Sequence, residues 1–412
     1  MLKTIFNIYA FALFANFAYS RCGWNTIDGN PPSLVGHKGE KAFMPEHTLG
    51  SYHMAALEAV DYIETDISIS KDGVLVIVHN GWLGQTTNVA ELPQFADRKK
   101  QYIFNGKYAK INRTEWFVWD FTYAELKTIN RIQDTDYAYR PQYFNNDFYI
   151  LTFDEYLDHI ENLSKNLDRQ LGVALELKFS EVFNSLFPSD NGRGYEDKVL
   201  EVLSKRNYNI NQPPPSNPVI NNGDLLDHIL NIKPSNYTKS SYKPVSFLSF
   251  DHETCEYLGK KTKIPVISLN LNSPWMYTPK GLDKIASYSK ILSPEKNILL
   301  AGPELYFEFN EISYNKTEIE SMGGFLEPKE LIRESHKRGI ELSPFTLYDS
   351  RQPSGLLCTR FNDTRFKYCP KNRKEEMFYY FELGCSYITV ENIFEAQILR
   401  LAFDSKIASK DC

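Results

Sequence analysis

Ser33-Leu34-Val35-Gly36-His37 is a short apolar run that ends on a histidine, and residues 48–57 follow it with apolar side chains at three-to-four spacing. An apolar run that short suits a buried strand, and the spacing after it suits an amphipathic helix. The same unit recurs along the chain. Runs rich in β-branched and aromatic residues fall at 33–37, 62–70, 173–179, 244–250, 264–271, 297–302, 340–348 and 385–390. Helical patterns follow them at 48–57, 154–167, 196–204, 253–261, 282–289, 328–338, 374–383 and 392–402. Strand then helix, eight times over, predicts a (β/α)8 barrel, an α/β fold of the TIM type. A doubly wound sheet is the competing architecture, but eight units spread over nearly the whole chain favour closure into one domain at about 21–412.

Three stretches break the alternation and read as excursions from the barrel. Residues 80–146 hold Trp82, Trp116, Trp119 and many Tyr and Phe, enough aromatic surface to pack an inserted lobe of their own after the second strand. Residues 207–222, with Pro213-Pro214-Pro215, read as an extended loop without chemistry. Residues 350–373, between the seventh and eighth strands, carry Cys358 and Cys369 around a polar stretch, read as a disulfide-stapled surface loop rather than as two buried thiols.

The composition excludes several classes of function. In 412 residues, 42% are hydrophobic and 24% charged, which rules out a disordered or low-complexity chain. The net charge is −6 and no Lys/Arg run is long enough for a nucleic-acid footprint, so no nucleic-acid partner is expected. Residues 1–20 carry one charge, Lys3, then an apolar run broken by Asn7 and Asn16, then Ala18-Tyr19-Ser20. That is the pattern of a cleaved secretory signal peptide rather than of a membrane span, and no other segment is apolar enough for one. Sequons at Asn112, Asn162, Asn236, Asn315 and Asn362 agree with export. Six cysteines are compatible with three disulfides in fifteen possible pairings, and the lack of any Cys-x-x-Cys argues against zinc or dithiol chemistry.

The chemistry is expected where barrels keep it, at strand ends and the loops after them. In Ile63-Glu64-Thr65-Asp66-Ile67 the period of two sends both carboxylates to one face. In Val173-Ala174-Leu175-Glu176-Leu177-Lys178-Phe179 it does the same for Glu176 and Lys178. Three carboxylates converging from adjoining strands make an all-oxygen site for a hard divalent cation such as Ca2+ or Mg2+. After a Lys71-Asp72-Gly73 turn, Val74-Leu75-Val76-Ile77-Val78 leads to His79, so two histidines at strand ends flank the acids. A cation to neutralise phosphate oxygens, one imidazole as base and one as acid are sufficient for phosphodiester cleavage. His47, His53, His159, His228, His252 and His336 are given no catalytic task.

At these residues the chain resembles the glycerophosphodiester phosphodiesterase family. The family pattern of His-Arg-Gly, Pro-Glu-Asn-Thr, Glu-x-Asp, Lys-Asp-Gly and His-Asp stands here as His37-Lys38-Gly39, Pro45-Glu46-His47-Thr48, Glu64-Thr65-Asp66, Lys71-Asp72-Gly73 and His79-Asn80. Leu151-Thr152-Phe153-Asp154-Glu155, Glu176-Leu177-Lys178, Ser249-Phe250-Asp251 and Phe345-Thr346 extend the likeness over the mature chain. The resemblance implies a (β/α)8 barrel, His37 and His79 as the acid/base pair, and Glu64, Asp66 and Glu176 as metal ligands. It places Lys178 on the phosphate and Lys38, Glu46 and Phe345 among the substrate-binding residues. The substrate it implies is a glycerophosphodiester or lysophospholipid, cleaved to glycerol 3-phosphate and an alcohol. Lys38 for Arg loses the planar fork and keeps the charge; His47 for Asn and Asn80 for Asp are the other departures. A secreted phospholipase D of the sphingomyelinase type and a non-catalytic barrel binding protein remain the alternatives.

Overall fold

The computed structural model describes residues 23–214, 242–348, 355–361 and 363–409. In chain order the strands are β1 (Ser33–Gly36), β2 (Tyr62–Ile69), β3 (Leu75–Ile77), β4 (Lys100–Asn105), β5 (Lys110–Glu115), β6 (Gly172–Leu177), β7 (Val245–Ser249), β8 (Val266–Asn270), β9 (Ile291–Pro294), β10 (Glu341–Leu342) and β11 (Tyr387–Val390). Eight of them pair in parallel in the order β10-β9-β8-β7-β6-β2-β1-β11. The ring is drawn together beyond β10, where Leu347 N–H donates to Thr389 O at 2.9 Å and Leu347 bridges Val390 in parallel. The protein is therefore a nearly closed (β/α)8 barrel.

One strand lies elsewhere than the sequence reading put it. The apolar run at 297–302 falls in the helix Lys296–Ala301, and the sixth barrel strand is β9, Ile291–Pro294. Glu295 makes the difference: its side chain accepts from Asn297 N–H at 2.8 Å and so starts a helix, and Pro294 closes the strand before it. A short apolar run carries no period by which to tell strand from buried helix.

The helices earn their places by capping and by one buried face. Over Phe153–Asn166, Thr152 Oγ1 accepts from Glu155 N–H at 3.0 Å while Glu155 accepts from Thr152 N–H at 2.8 Å, a reciprocal cap whose loss costs about 1 kcal/mol. Phe153, Tyr156, Leu157, Ile160 and Leu163 form its buried stripe. Tyr156 OH donates to Ile63 O at 2.9 Å, which fixes β2 next to Glu64. Inside the barrel, Val35, Ala174, Leu248, Ile267 and Ile291 pack as a second, smaller core.

Within residues 80–146 lie the β4–β5 hairpin, several 3-10 turns and a one-turn helix at Tyr123–Leu126. The hairpin is pinned to the barrel by Glu181, whose carboxylate accepts from the backbone N–H of Lys107, Tyr108 and Ala109 at 2.8, 2.9 and 3.2 Å. A Cβ at Gly106 would lie 2.2 Å from Glu181 Oε2, so any larger residue there would displace the Glu181 carboxylate from these amides.

Cys358 and Cys369 form a disulfide. Three disulfides are not formed: Cys255, on the helix His252–Lys261, and Cys385 are buried free thiols packed in the main core, where each behaves as a small apolar side chain. Cys22, Cys412, residues 1–20, which the sequence reads as a signal peptide, and the sequons at Asn236 and Asn362 lie outside the described residues. Among the described residues no helix is long and apolar enough to cross a membrane.

Candidate active site

His37 follows β1 directly, held by its N–H bond to Val390 O at 2.9 Å. The chain then turns sharply: Lys38 and His47 both adopt left-handed φ (60° and 59°), and Gly39 has φ 82° with no room for a Cβ, which would meet Ser51 Oγ at 2.2 Å. This turn folds Lys38 inward so that its own N–H donates to Glu64 Oε2 at 2.8 Å. Glu64 and Asp66 point to the same side of β2, and the parallel register sets Asp66 opposite Glu176 of β6.

The three carboxylates bring ligand oxygens within 4.8 Å of one another, all buried. Glu64 Oε1 and Asp66 Oδ1 accept no hydrogen bond from the described residues. Orphaned, converging, all-oxygen donors fit a hard divalent cation, and the absence of thiolate or imidazole among them makes zinc a poor match. Their titration carries the same message. Burial, with the charges of Asp66 and Glu176, holds Glu64 well above the carboxylate range. Burial pushes Glu176 up to about 7, with Lys178 opposing and Asp66 adding. Burial also opposes ionisation of Asp66, yet Lys178 and its histidine neighbours outweigh it and hold Asp66 well below the usual value.

The two imidazoles face each other edge to face, 6.5 Å between ring centres. They differ in their partners. His37 Nδ1 lies 3.2 Å from Glu391 Oε1, whereas no side chain of the described residues hydrogen-bonds the His79 ring. Burial lowers the His37 imidazolium to about 4, Glu391 opposing and Lys38 adding to the shift. Burial, Lys38 and Lys178 hold His79 well below the ordinary histidine value. Lys178 Nζ is 2.7 Å from Glu176 Oε1 and 3.6 Å from Asp66 Oδ1.

His37, Lys38, Glu64, His79, Glu176, Lys178 and Phe345 all line one cavity of about 390 Å³. Asp66 is fully buried beside it. Glu46 does not reach the cavity wall: it is buried and bonded to Lys38 Nζ at 3.0 Å and Lys41 Nζ at 3.3 Å, so it holds the lysines rather than a ligand.

Sequence reasoning passed over three contributors. His47 Nε2–H donates to Asp66 Oδ2 at 2.8 Å, and Tyr52 OH, itself 2.7 Å from Thr65 Oγ1, reaches His47 Nδ1 at 2.9 Å. His47 thus does for Asp66 what an amide N–H would do, and its place in the Pro45-Glu46-His47-Thr48 motif was the available signal. Glu391, the first residue past the last strand, is buried between His37, Lys41 at 3.6 Å and the guanidinium of Arg140. Its strand-end position was a signal; nothing in the sequence marks Arg140, which arrives from the stretch after β5.

Barrel, strand-end histidines and acid cluster together place the chain among enzymes that work at the C-terminal mouth of a TIM barrel. The chain belongs to the glycerophosphodiester phosphodiesterase family, a family of phosphoric diester hydrolases. A profile of the glycerophosphoryl diester phosphodiesterase family matches residues 37–183. The chain is 30% identical over 323 residues to a glycerophosphodiester phosphodiesterase of Arabidopsis thaliana, covering 78% of this chain and 76% of that protein. It is 24% identical over 280 residues to a glycerophosphodiester phosphodiesterase of Treponema pallidum, covering 65% and 71%. The solved structure of a Silicibacter pomeroyi protein assigned to the glycerophosphoryl diester phosphodiesterases shares the fold, with TM-score 0.50 at 15% identity over 93% of this chain and 99% of that one.

Proposed function

We propose that the protein hydrolyses glycerophosphodiesters to glycerol 3-phosphate and an alcohol, with a divalent cation, Ca2+ or Mg2+, held by Glu64, Asp66 and Glu176. The observation that carries this is the pair of imidazoles, 6.5 Å apart, in one cavity with Lys38, Lys178, Glu64 and Glu176 and with Asp66 buried beside it. When bound, the cation supplies Lewis-acid neutralisation of phosphate oxygens. Lys178 and Lys38 add fixed positive charge for a phosphodiester monoanion.

His37 is the base. An ionised Glu391, kept so by Lys41 and Arg140, accepts the Nδ1–H of His37, which leaves Nε2 with its lone pair toward the cavity. With its conjugate acid at about 4, His37 is neutral above that value and free to take a proton from the attacking water. Burial, Lys38 and Lys178 outweigh Asp66 and Glu46 in lowering the His79 value, so its protonated form is a strong donor to the leaving alkoxide. Product analysis on glycerophosphocholine tests the reading: glycerol 3-phosphate with choline is the expected outcome. A cyclic phosphate would favour the sphingomyelinase-type reaction, and no turnover would leave a binding protein.

We also propose that the chain is exported. The composition of residues 1–20, the exposed sequons Asn112, Asn162 and Asn315, and the Cys358–Cys369 disulfide support an oxidising, glycosylating route.

A further inference from the structure

Beside the active-site cavity lies a second one, of about 480 Å³, on the same rim of strand ends. Glu176, Lys178, Phe250, Leu269 and Leu271 line both. With that shared wall the two are chambers of one cleft, and Lys178, its Nζ 5.3 Å from the centre of the Phe250 ring, belongs to both. A phosphodiester has an ester arm on either side of phosphorus. Two chambers meeting at a cationic side chain reproduce that shape. A glycerol arm alone would leave most of the second chamber empty, so the variable arm belongs there.

Its lining shows what that arm is. Trp275 and Tyr108 offer aromatic faces, but each already carries an ammonium of the protein: Lys284 Nζ is 4.6 Å from the Trp275 ring centre and Lys107 Nζ is 4.8 Å from that of Tyr108. The carboxylates are engaged as well. Glu181 accepts three backbone N–H groups of the hairpin, Asp251 Oδ1 caps the helix His252–Lys261 through the N–H groups of Glu253 and Thr254, and Glu176 pairs with Lys178. Lys284 has no carboxylate partner among the described residues. A cationic headgroup would meet covered rings, engaged acids and lysine charge. Hydroxyl oxygens would meet the ammonium donors that those rings hold in place, Lys284 over Trp275 and Lys107 over Tyr108.

We propose that this second chamber is the headgroup subsite and that it selects an uncharged polyhydroxy alcohol over a quaternary ammonium. The inference rests on the phosphodiesterase reading above and names the substrate class of that same site. The test is calorimetric titration of the cation-loaded His79→Asn chain, which holds its ligand uncleaved, with glycerophosphoinositol and glycerophosphocholine. The inositol diester should bind about fivefold or more tightly than the choline diester. Trp275→Ala should erase that preference by weakening the inositol diester. Lys284→Met, an exposed change that leaves packing alone, should narrow it from the other side by uncovering Trp275 and tightening the choline diester. The same order should appear in kcat/KM of the wild-type enzyme. Equal or tighter binding of the choline diester, or a preference untouched by both substitutions, overturns the proposal. A wild-type enzyme that shows the binding preference and cleaves neither diester would instead sink the phosphodiesterase reading and leave the subsite standing.

Discussion

His37 Nδ1 lies 3.2 Å from Glu391 Oε1, so the residue that follows the first barrel strand is oriented by the residue that follows the last. Glu391→Gln keeps the shape and removes the anion that fixes the imidazole tautomer. Turnover should fall about a hundredfold or more. Because Glu391 raises the His37 value, its loss should also move the acid limb of the kcat/KM profile to lower pH, which a merely structural residue would not do. Lys41 and Arg140 lose part of their pairing, and stability should drop on the order of 2 kcal/mol in urea titration. An unchanged pH limb beside lowered stability would make Glu391 structural only.

The acid cluster should respond to metal as a unit. Glu64, Asp66 and Glu176 crowd three buried carboxylates together, so Ca2+ or Mg2+ at about a hundred times its Kd should add about 2.7 kcal/mol and raise Tm. Chelation should abolish activity and reverse the shift. Glu176→Gln should lose most of the metal-induced rise while its metal-free form is at least as stable as the metal-free wild type. Full activity of a rigorously stripped sample would remove metal from the mechanism.

Lys38 depresses both imidazoles. Lys38→Met should therefore raise both values: the acid limb, set by neutral His37, and the alkaline limb, set by protonated His79, should each move to higher pH. With one phosphate contact gone, kcat/KM should fall about tenfold or more at the optimum. A profile that keeps its position would show that the Lys38 charge does not reach the histidines.

Protein recovered from expression medium should begin near Arg21 and lose mass on deglycosylation. Peptide mapping without reductant should join Cys358 to Cys369 and find Cys255 and Cys385 alkylatable only after unfolding. A chain that retains Met1 and no glycan would refute export.

How much of this was legible follows from where each signal is stored. Seven strands and the acid cluster could be read because the strand period and the motif spacing are local. The sixth strand could not, since Ile291-Leu292-Ser293-Pro294 and the helix at Lys296–Ala301 are both short and buried, and only the Glu295 cap separates them. His37, Glu64, Asp66, His79, Glu176, Lys178 and Phe345 reached the cavity vicinity as strand-end logic demands, while Glu46 stands one layer back because the left-handed turn at Lys38 places the lysine in front of it. Contacts such as Arg140 with Glu391 join residues 251 apart in sequence, and no pattern in either segment announces the other.

β1 pairs with β11, so the first strand of the barrel waits for the last. During synthesis, Glu64, Asp66 and Glu176 can assemble once β2 and β6 have met. His37 gains its carboxylate only after residue 391 has left the ribosome, and Arg140 then locks that carboxylate from the inserted stretch. A nascent chain would hold its three carboxylates together early and gain its oriented imidazole last, which makes barrel closure the event that completes the site.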